Sequence, residues 1–363
     1  MTDADENTTT YDDEPDVVDE AVESENATTD AEDKEIVYQI NSFGADYLVD
    51  GIISRMETEA IYRPDFQRQF VWSVPQASRF IESILLGLPI PGIFLYREES
   101  TQRHLIIDGL QRLTTIQSYY RGQLPHSDRV FRLVNVKERF EGKTLDDLEP
   151  ADQRRFNDAT IHATIIQQVA PENDNSSVFY IFDRLNSGGT PLQPQEIRAA
   201  VYHGAFQRLL ERLNDDVNWR KIFGPKNKRG KDQELILRFL ALTERWSTYK
   251  SPMKTFLNSY MSDRRHISDE DGRRIEEMFA KTVRFVVENI GDRPFRPSRS
   301  LNTAVFDAVM VAIAQNPEPR AEGFSDRYKA LLQDDNFQEA SSRATADESN
   351  VATRIKKAID YLG

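Results

Sequence analysis

The chain has 363 residues, with 46 basic and 60 acidic side chains, a net charge of −14 and no cysteine. That length admits two domains with separate cores. The absent cysteines exclude a disulfide framework and a thiolate metal site, and no apolar run approaches the ~20 residues needed to span a bilayer. Because the first residues are acidic and unlike a signal peptide, the expectation is a soluble, cytoplasmic protein.

Residues 1–35 hold 15 acidic side chains and one lysine, which leaves 45 of each sign in residues 36–363 and a net charge of zero there. With almost no large apolar side chain, this segment is predicted to be a disordered acidic tail. Its plain role is solvation; the sharper one is DNA mimicry in competition for the basic surface of the body.

Along the body, residues 36–41 are predicted as a strand and Ser42–Ile53 as a short helix. Arg63-Pro64-Asp65 is extended, because a residue before proline avoids the helical region. Ser73 is the expected N-cap of a helix that buries Phe80, Ile81, Ile84, Leu85 and Leu88 and ends at Gly87 and Pro89. Ile93–Tyr96 and His104–Ile107 form a hairpin across the polar Glu98–Arg103 loop. A helix follows, with Leu113, Ile116 and Tyr120 as its apolar stripe. Then come a strand at Ile161–Val169, a helix at Asn175–Leu185 stopped by Gly188-Gly189, and a short helix from Pro194 to His203. Beyond residue 205 the pattern is helical, with Leu235, Phe239, Leu242 and Trp246 on one face and Ile275, Met278, Phe279, Val283 and Val286 on another. Leu301–Ala314 and Val351–Leu362 are two more helices. The fold class expected is α+β, a mixed α/β N-terminal domain followed by a helical C-terminal domain.

The densest chemistry lies where the second hairpin strand becomes a helix, at Asp108-Gly109-Leu110-Gln111-Arg112. A helix N-terminus presents unpaired N–H groups and a partial positive charge, which suits a phosphate. Gly109 lets a ligand approach the backbone, and Asp108, Gln111 and Arg112 share the same helix end at i, i+3 and i+4. The plainer reading is that Asp108 caps the helix and pairs with Arg112.

Around this motif stand Tyr62-Arg63-Pro64-Asp65-Phe66-Gln67-Arg68-Gln69-Phe70-Val71-Trp72, Leu86-Gly87-Leu88-Pro89-Ile90-Pro91, Phe182-Asp183-Arg184-Leu185-Asn186-Ser187-Gly188-Gly189-Thr190 and Glu196-Ile197-Arg198. In this order the series resembles the N-terminal domain of GmrSD-type, modification-dependent restriction endonucleases, a branch of the ParB/sulfiredoxin-like superfamily. The resemblance covers residues 36–205. It implies a ParB-like nucleotide-binding domain there, with 206–363 as a helical domain.

Members of that family bind and hydrolyse nucleoside triphosphates through an Asp-Gly-Gln-Gln-Arg motif, whose first glutamine is Leu110 here. By resemblance, Arg112 contacts phosphate as a planar fork and Gln111 orients the attacking water. Asp108 acts through Mg²⁺ brought by the nucleotide. Arg63, Gln67, Arg68, Trp72, Gly109 and Asn186 line the nucleotide pocket, with Trp72 either stacking on a base or packing beneath. Arg112→Ala is expected to abolish nucleotide binding and leave the fold intact. Glu196 and Arg198 are more ordinary, as an ion pair or helix-start charge.

Lys226, Lys228, Arg229 and Lys231 form the strongest basic stretch, beside Arg220 and Lys221; Arg264-Arg265 and the run from Arg293 to Arg299 are others. Such clusters supply salt-dependent DNA affinity without reading a base. The five histidines, at 104, 126, 162, 203 and 266, form no HNH nuclease pattern, and no Walker A loop or zinc spacing occurs. The expected function is an NTP-binding and NTP-hydrolysing, DNA-sensing component of a modification-dependent restriction or phage-defence system. It would work beside a separately encoded nuclease and in more than one copy. The rival is a non-catalytic, nucleotide-gated DNA-binding module akin to a ParB clamp.

Overall fold

The computed structural model describes residues 39–63, 70–98, 101–125, 127, 129–170, 176–185, 193–227, 229–291, 294–296, 300–316 and 318–363. The acidic tail, Gln67, Arg68, Asn186, the Gly188-Gly189 stop and Lys228 lie outside the described residues. Two compact units are present: the described residues up to Gln207 with Met261–His266, and Arg208–Tyr260 with Ile267–Gly363.

The first unit is built on a five-stranded mixed sheet in the order β1-β5-β3-β4-β2. Its strands are β1 (Gln39–Leu48), β2 (Ile61–Tyr62), β3 (Ile93–Arg97), β4 (His104–Asp108) and β5 (Thr160–Ala170). The β1–β5 and β3–β4 pairs are antiparallel, while β3–β5 and β2–β4 are parallel. Ser42–Leu48 is strand, against the helix expected there. Ala45 and Tyr47 pack on the core at alternate positions, a period of two that the short window hid. Gly44 disfavours helix, and every residue from Ser42 to Leu48 has a β5 partner. The helix begins only at α1 (Val49–Glu57), where Val49, Ile52 and Ile53 are buried.

Ser73 caps α2 (Val74–Leu85) as expected, through a full capping box with Gln76. Ile81, Ile84 and Leu85 are buried, whereas Leu88 lies past the helix end and is 52% exposed. The hairpin β3–β4 forms where expected. It leads into α3 (Leu110–Arg121), in which Leu113 and Ile116 are buried. Tyr120, assigned to that stripe, is 44% exposed, and Tyr119 is buried instead. Tyr119 meets Phe131 and Phe156 edge-on at 5.4 and 5.5 Å. The connection carrying α4 (Pro150–Asn157) thus covers a second side of α3, which periodicity within the helix does not reveal. Strand β5, α5 (Ser176–Leu185) and α6 (Pro194–Val201) complete the unit and match the expected elements within a few residues.

The second unit is helical. It contains α8 (Val217–Phe223), α9 (Lys231–Arg245), α11 (Asp269–Asn289), α12 (Thr303–Gln315), α13 (Phe324–Gln333), α14 (Asp335–Ser342) and α15 (Glu348–Leu362). The unit division falls within α7 (Ala205–Asn214) and α10 (Met253–Arg264). The core of this unit gathers Trp219 against Phe223, Phe279 and Phe306 at 5.6–6.1 Å between ring centroids. A fully buried Asp307 accepts from Arg238 through two bonds, Nη2 at 2.6 Å and Nε at 3.2 Å, and from Arg354 at 3.2 Å.

Candidate functional site

Strand β4 ends at Asp108 and the chain turns through Gly109, whose φ of +99° favours glycine. Space imposes the same choice: a Cβ on Gly109 would stand 2.4 Å from Ile93 Cγ2. Gly109 is the N-cap of α3, and no side chain caps that helix end. Asp108 therefore does not cap it. Its Oδ2 accepts instead from Arg112 Nη2 at 2.5 Å, so only the i,i+4 half of the plainer reading holds.

Arg112 is further committed to the backbone. Its Nη1 donates to the carbonyls of Pro91 at 2.8 Å and Gly92 at 2.5 Å, fastening the start of β3 to the motif helix. Its side chain is 14% exposed and that of Asp108 37%, so the pair borders solvent and is not sealed in the core. Gln111 Oε1 accepts from Val71 N at 3.0 Å and Trp72 N at 3.4 Å. Thus Asp108 and Arg112 face Pro91–Gly92 and Gln111 faces the end of the segment that begins at Arg63. The three polar groups pin two different stretches of chain to one helix end. Leu110 is 7% exposed and joins the hydrophobic core, so the motif's one departure supplies packing.

Along α3, Gln111 is followed on the same face by Thr114, Ser118 and Arg121. The last three line a cleft of about 670 Å³, together with Glu59, Tyr62, Arg63 and Gln117. Arg63 is exposed. Trp72 is half-buried and packs edge-on against Phe80 with ring centroids 5.5 Å apart, the packing alternative of the two weighed for it. Glu196 accepts from Gln193 N at 2.6 Å and completes a capping box at the start of α6, a helix-start role. Arg198 is fully buried, 5.9 Å from the centroid of the Phe179 ring.

Tyr62, which lines the cleft, belongs to a cluster that no linear motif announces. Tyr62 Oη donates to Glu98 Oε1 at 2.8 Å, Thr101 Oγ1 donates to Oε2 at 2.5 Å and Arg265 Nη2 donates to Oε1 at 3.0 Å. Burial raises the Glu98 carboxyl, but the Thr101, Tyr62 and Arg265 contacts outweigh it and hold the group below the usual carboxylate range. Burial and the Glu98 charge drive the Tyr62 phenol far above its ordinary value. The Arg103 guanidinium lies over the Tyr62 ring, 4.2 Å from its centroid. Tyr62 and Arg265 are 36 and 167 residues from Glu98 along the chain, so only the fold brings those two to it.

The basic runs are largely spoken for. Arg220 donates to Asp232 at 3.0 Å and to Asn214 at 2.7 Å, and Lys226 is ion-paired with Asp215. Asn227 Oδ1 accepts from Arg229 N and Lys231 N at the start of α9, and Lys231 is 8% exposed, which withdraws it from any surface phosphate contact. Arg296 donates to the Ile222 and Phe223 carbonyls at the end of α8. As for metals, the described residues contain no group of three or more His, Cys, Asp or Glu able to hold an ion. Asp108 has its Oδ2 held by Arg112. Among the described residues no helix is long and apolar enough to cross a membrane.

No curated protein matches the chain. Residues 48–203, from the last residue of β1 to just past α6, nevertheless match the family described as the GmrSD restriction endonuclease, N-terminal domain; they hold β2–β5 and every residue named as lining the cleft. Over that stretch the chain is similar to the N-terminal domain of GmrSD restriction endonucleases.

Proposed function

We propose that this domain binds a nucleoside triphosphate along α3 and that the chain is a regulatory, DNA-sensing component of a restriction or phage-defence system. The family supports a place in a restriction or phage-defence system. One observation carries the first: a single helix face runs from an uncapped N-terminus, past Gln111, into a polar cleft holding Arg63 and Arg121. Uncapped amides at a helix start favour phosphate oxygens. The cleft is within the ~300–1,000 Å³ range of small-molecule sites, and Gln111 to Ser118 spans about 10 Å of helix, a length a nucleotide can follow. Asp108, Gln111 and Arg112 hold the backbone around the start of that helix, and Mg²⁺ belongs to the nucleotide that carries it.

The direct experiment is equilibrium binding and phosphate release with each of the four NTPs, with and without DNA. Arg63→Ala and Arg121→Ala should each weaken binding by about 10-fold or more, the scale of one lost charge-assisted contact. Wild-type affinity in both variants rejects the cleft as the nucleotide site. A second reading, a nucleotide gate without hydrolysis, is favoured by the commitment of Arg112 to Asp108 and to two carbonyls. Tight binding with no phosphate release from any NTP selects it. DNA contact is proposed through Lys226 and Arg229, the described members of the basic stretch outside the core.

A further inference from the structure

The cleft along α3 has two chemically different ends. Strand β2 runs parallel to β4, with Ile61 opposite His104 and Tyr62 opposite Leu105. Arg63 therefore lies toward the Asp108 end of β4, where α3 begins. Glu59 precedes β2 and lies at the other end, where the Ala60 carbonyl accepts from His104 N at 2.8 Å. The last turn of α3 is at that end too, since Arg121 Nη2 lies 3.4 Å from Glu57 Oε1. Arg63 and Thr114 thus line one end of the cleft, and Glu59, Arg121, Met56 and Leu124 the other. Thr114 to Arg121 covers about 10 Å of helix. A triphosphate is drawn to the first end, beside the uncapped start of α3, and repelled by a carboxylate at the second. The base then faces Glu59 and Arg121, with Met56 and Leu124 offering apolar surface to its ring.

Glu59 holds its place against backbone preference. It follows Thr58, the C-cap of α1, with a φ of +55°, the left-handed helix stop that favours glycine. Arg103 fastens it twice: Nε donates to the Glu59 carbonyl at 2.9 Å and Nη2 reaches Oε2 at 3.4 Å. The side chain is nevertheless 76% exposed, so its carboxylate keeps capacity for further donors. Among the described residues it is the one carboxylate that lines the cleft.

We propose that Glu59 makes the cleft selective for a guanine nucleotide, an inference that rests on the nucleotide-binding reading above. A carboxylate only accepts, and it accepts best from two donors side by side. Guanine supplies them in N1–H and the N2 amino group. Adenine and cytosine place a ring-nitrogen acceptor beside their amino group, and uracil flanks N3–H with two carbonyl oxygens, so each of these sets an acceptor against the carboxylate. Guanine also presents O6 and N7 to a guanidinium, the commonest arginine contact with any base, and Arg121 stands at the same end of the cleft. Glu59 is a specificity-determining residue in this reading, apart from whatever chemistry the phosphates undergo.

The test is equilibrium dialysis of the full chain with GTP, ATP, UTP, CTP and ITP, whose base is guanine without the N2 amino group. GTP should bind about 10-fold or more tighter than ATP, UTP or CTP, and ITP should lose much of that advantage, on the scale of one hydrogen bond to a charged group. Glu59→Gln should bring GTP affinity down to that of ATP, while ATP affinity changes little. Glu59→Gly should do the same, and because glycine suits the left-handed turn, its effect is not one of a disrupted helix stop. GTP bound no more tightly than ATP by the wild type overturns the assignment, as does a GTP preference retained in both variants; either result leaves the binding reading standing. No binding of any NTP removes the binding reading itself and the base selectivity with it.

Discussion

Replacing Arg112 by alanine removes three hydrogen bonds at once, to Asp108 and to the Pro91 and Gly92 carbonyls. Charge-assisted bonds contribute more than neutral ones, and the abandoned carboxylate and the Gly92 carbonyl stay half-buried, so the expected loss is about 2–4 kcal/mol of stability. A urea titration with an unchanged midpoint would contradict that value. The fold is thus not indifferent to Arg112→Ala, as the motif alone implied, and loss of nucleotide binding in this variant does not identify a ligand contact. Arg112→Lys keeps the charge but not the fork and should recover only part of the loss. Gly109→Ala is the companion case. A left-handed φ costs about 1–2 kcal/mol for a residue with a Cβ, before the clash with Ile93 Cγ2 at 2.4 Å; a melting temperature within a degree of wild type would show the turn to be more pliable than its packing implies.

At the scale of elements, Ser73 gives the cleanest forecast. Ser73→Ala breaks the capping box of α2 and should cost about 1 kcal/mol, seen as a parallel shift of the urea curve. The cap was legible because its signal is local: a serine, a proline in the first turn and a glutamine three residues on. The hairpin was legible for the same reason. What escaped was set by contacts distant in sequence. Ser42–Leu48 became strand because β5, more than 110 residues later, offers a complete ladder. Tyr119 replaced Tyr120 in the core because Phe131 and Phe156 cover that side. In the candidate site, Asp108, Gln111 and Arg112 could be picked out by spacing, but not the division of their side chains between residues 71–72 and 91–92, which depends on where two other segments end.

Glu98 belongs to this scale as well, since it ties β2, the β3–β4 loop and Arg265 together. Its folded carboxyl titrates below its ordinary value because hydrogen bonds from Thr101, Tyr62 and Arg265 overcome the effect of burial. A depressed carboxylate binds fewer protons in the folded state. Its stabilisation is therefore full above the ordinary carboxylate range and fades as pH falls through the depressed value. Glu98→Gln should flatten the acid limb of a stability-against-pH curve. An acid limb identical to wild type would mean that other carboxylates govern it.

For the whole molecule, charge is distributed in a way that a single isoelectric point conceals. The net −14 resides in residues 1–35, and the body sums to zero. Within the body several of the basic groups are engaged: Arg220 with Asp232, Lys226 with Asp215, Arg265 with Glu98 and Arg296 with helix-end carbonyls. The body has no net positive charge, so any DNA affinity at low salt is sensitive to a separate block of negative charge on the same chain. Removing residues 1–35 abolishes a long-range repulsion without touching a described contact, and should tighten binding of a short duplex at about 50 mM salt. The gain should vanish near 0.5 M, where the screening length is only about 4 Å. Fluorescence anisotropy of a labelled duplex across that range measures both limits. Equal affinity for full-length and shortened chains at every salt concentration would leave the acidic segment with no electrostatic part in DNA recognition; a gain that persists at high salt would point to a direct contact between tail and body in place of repulsion.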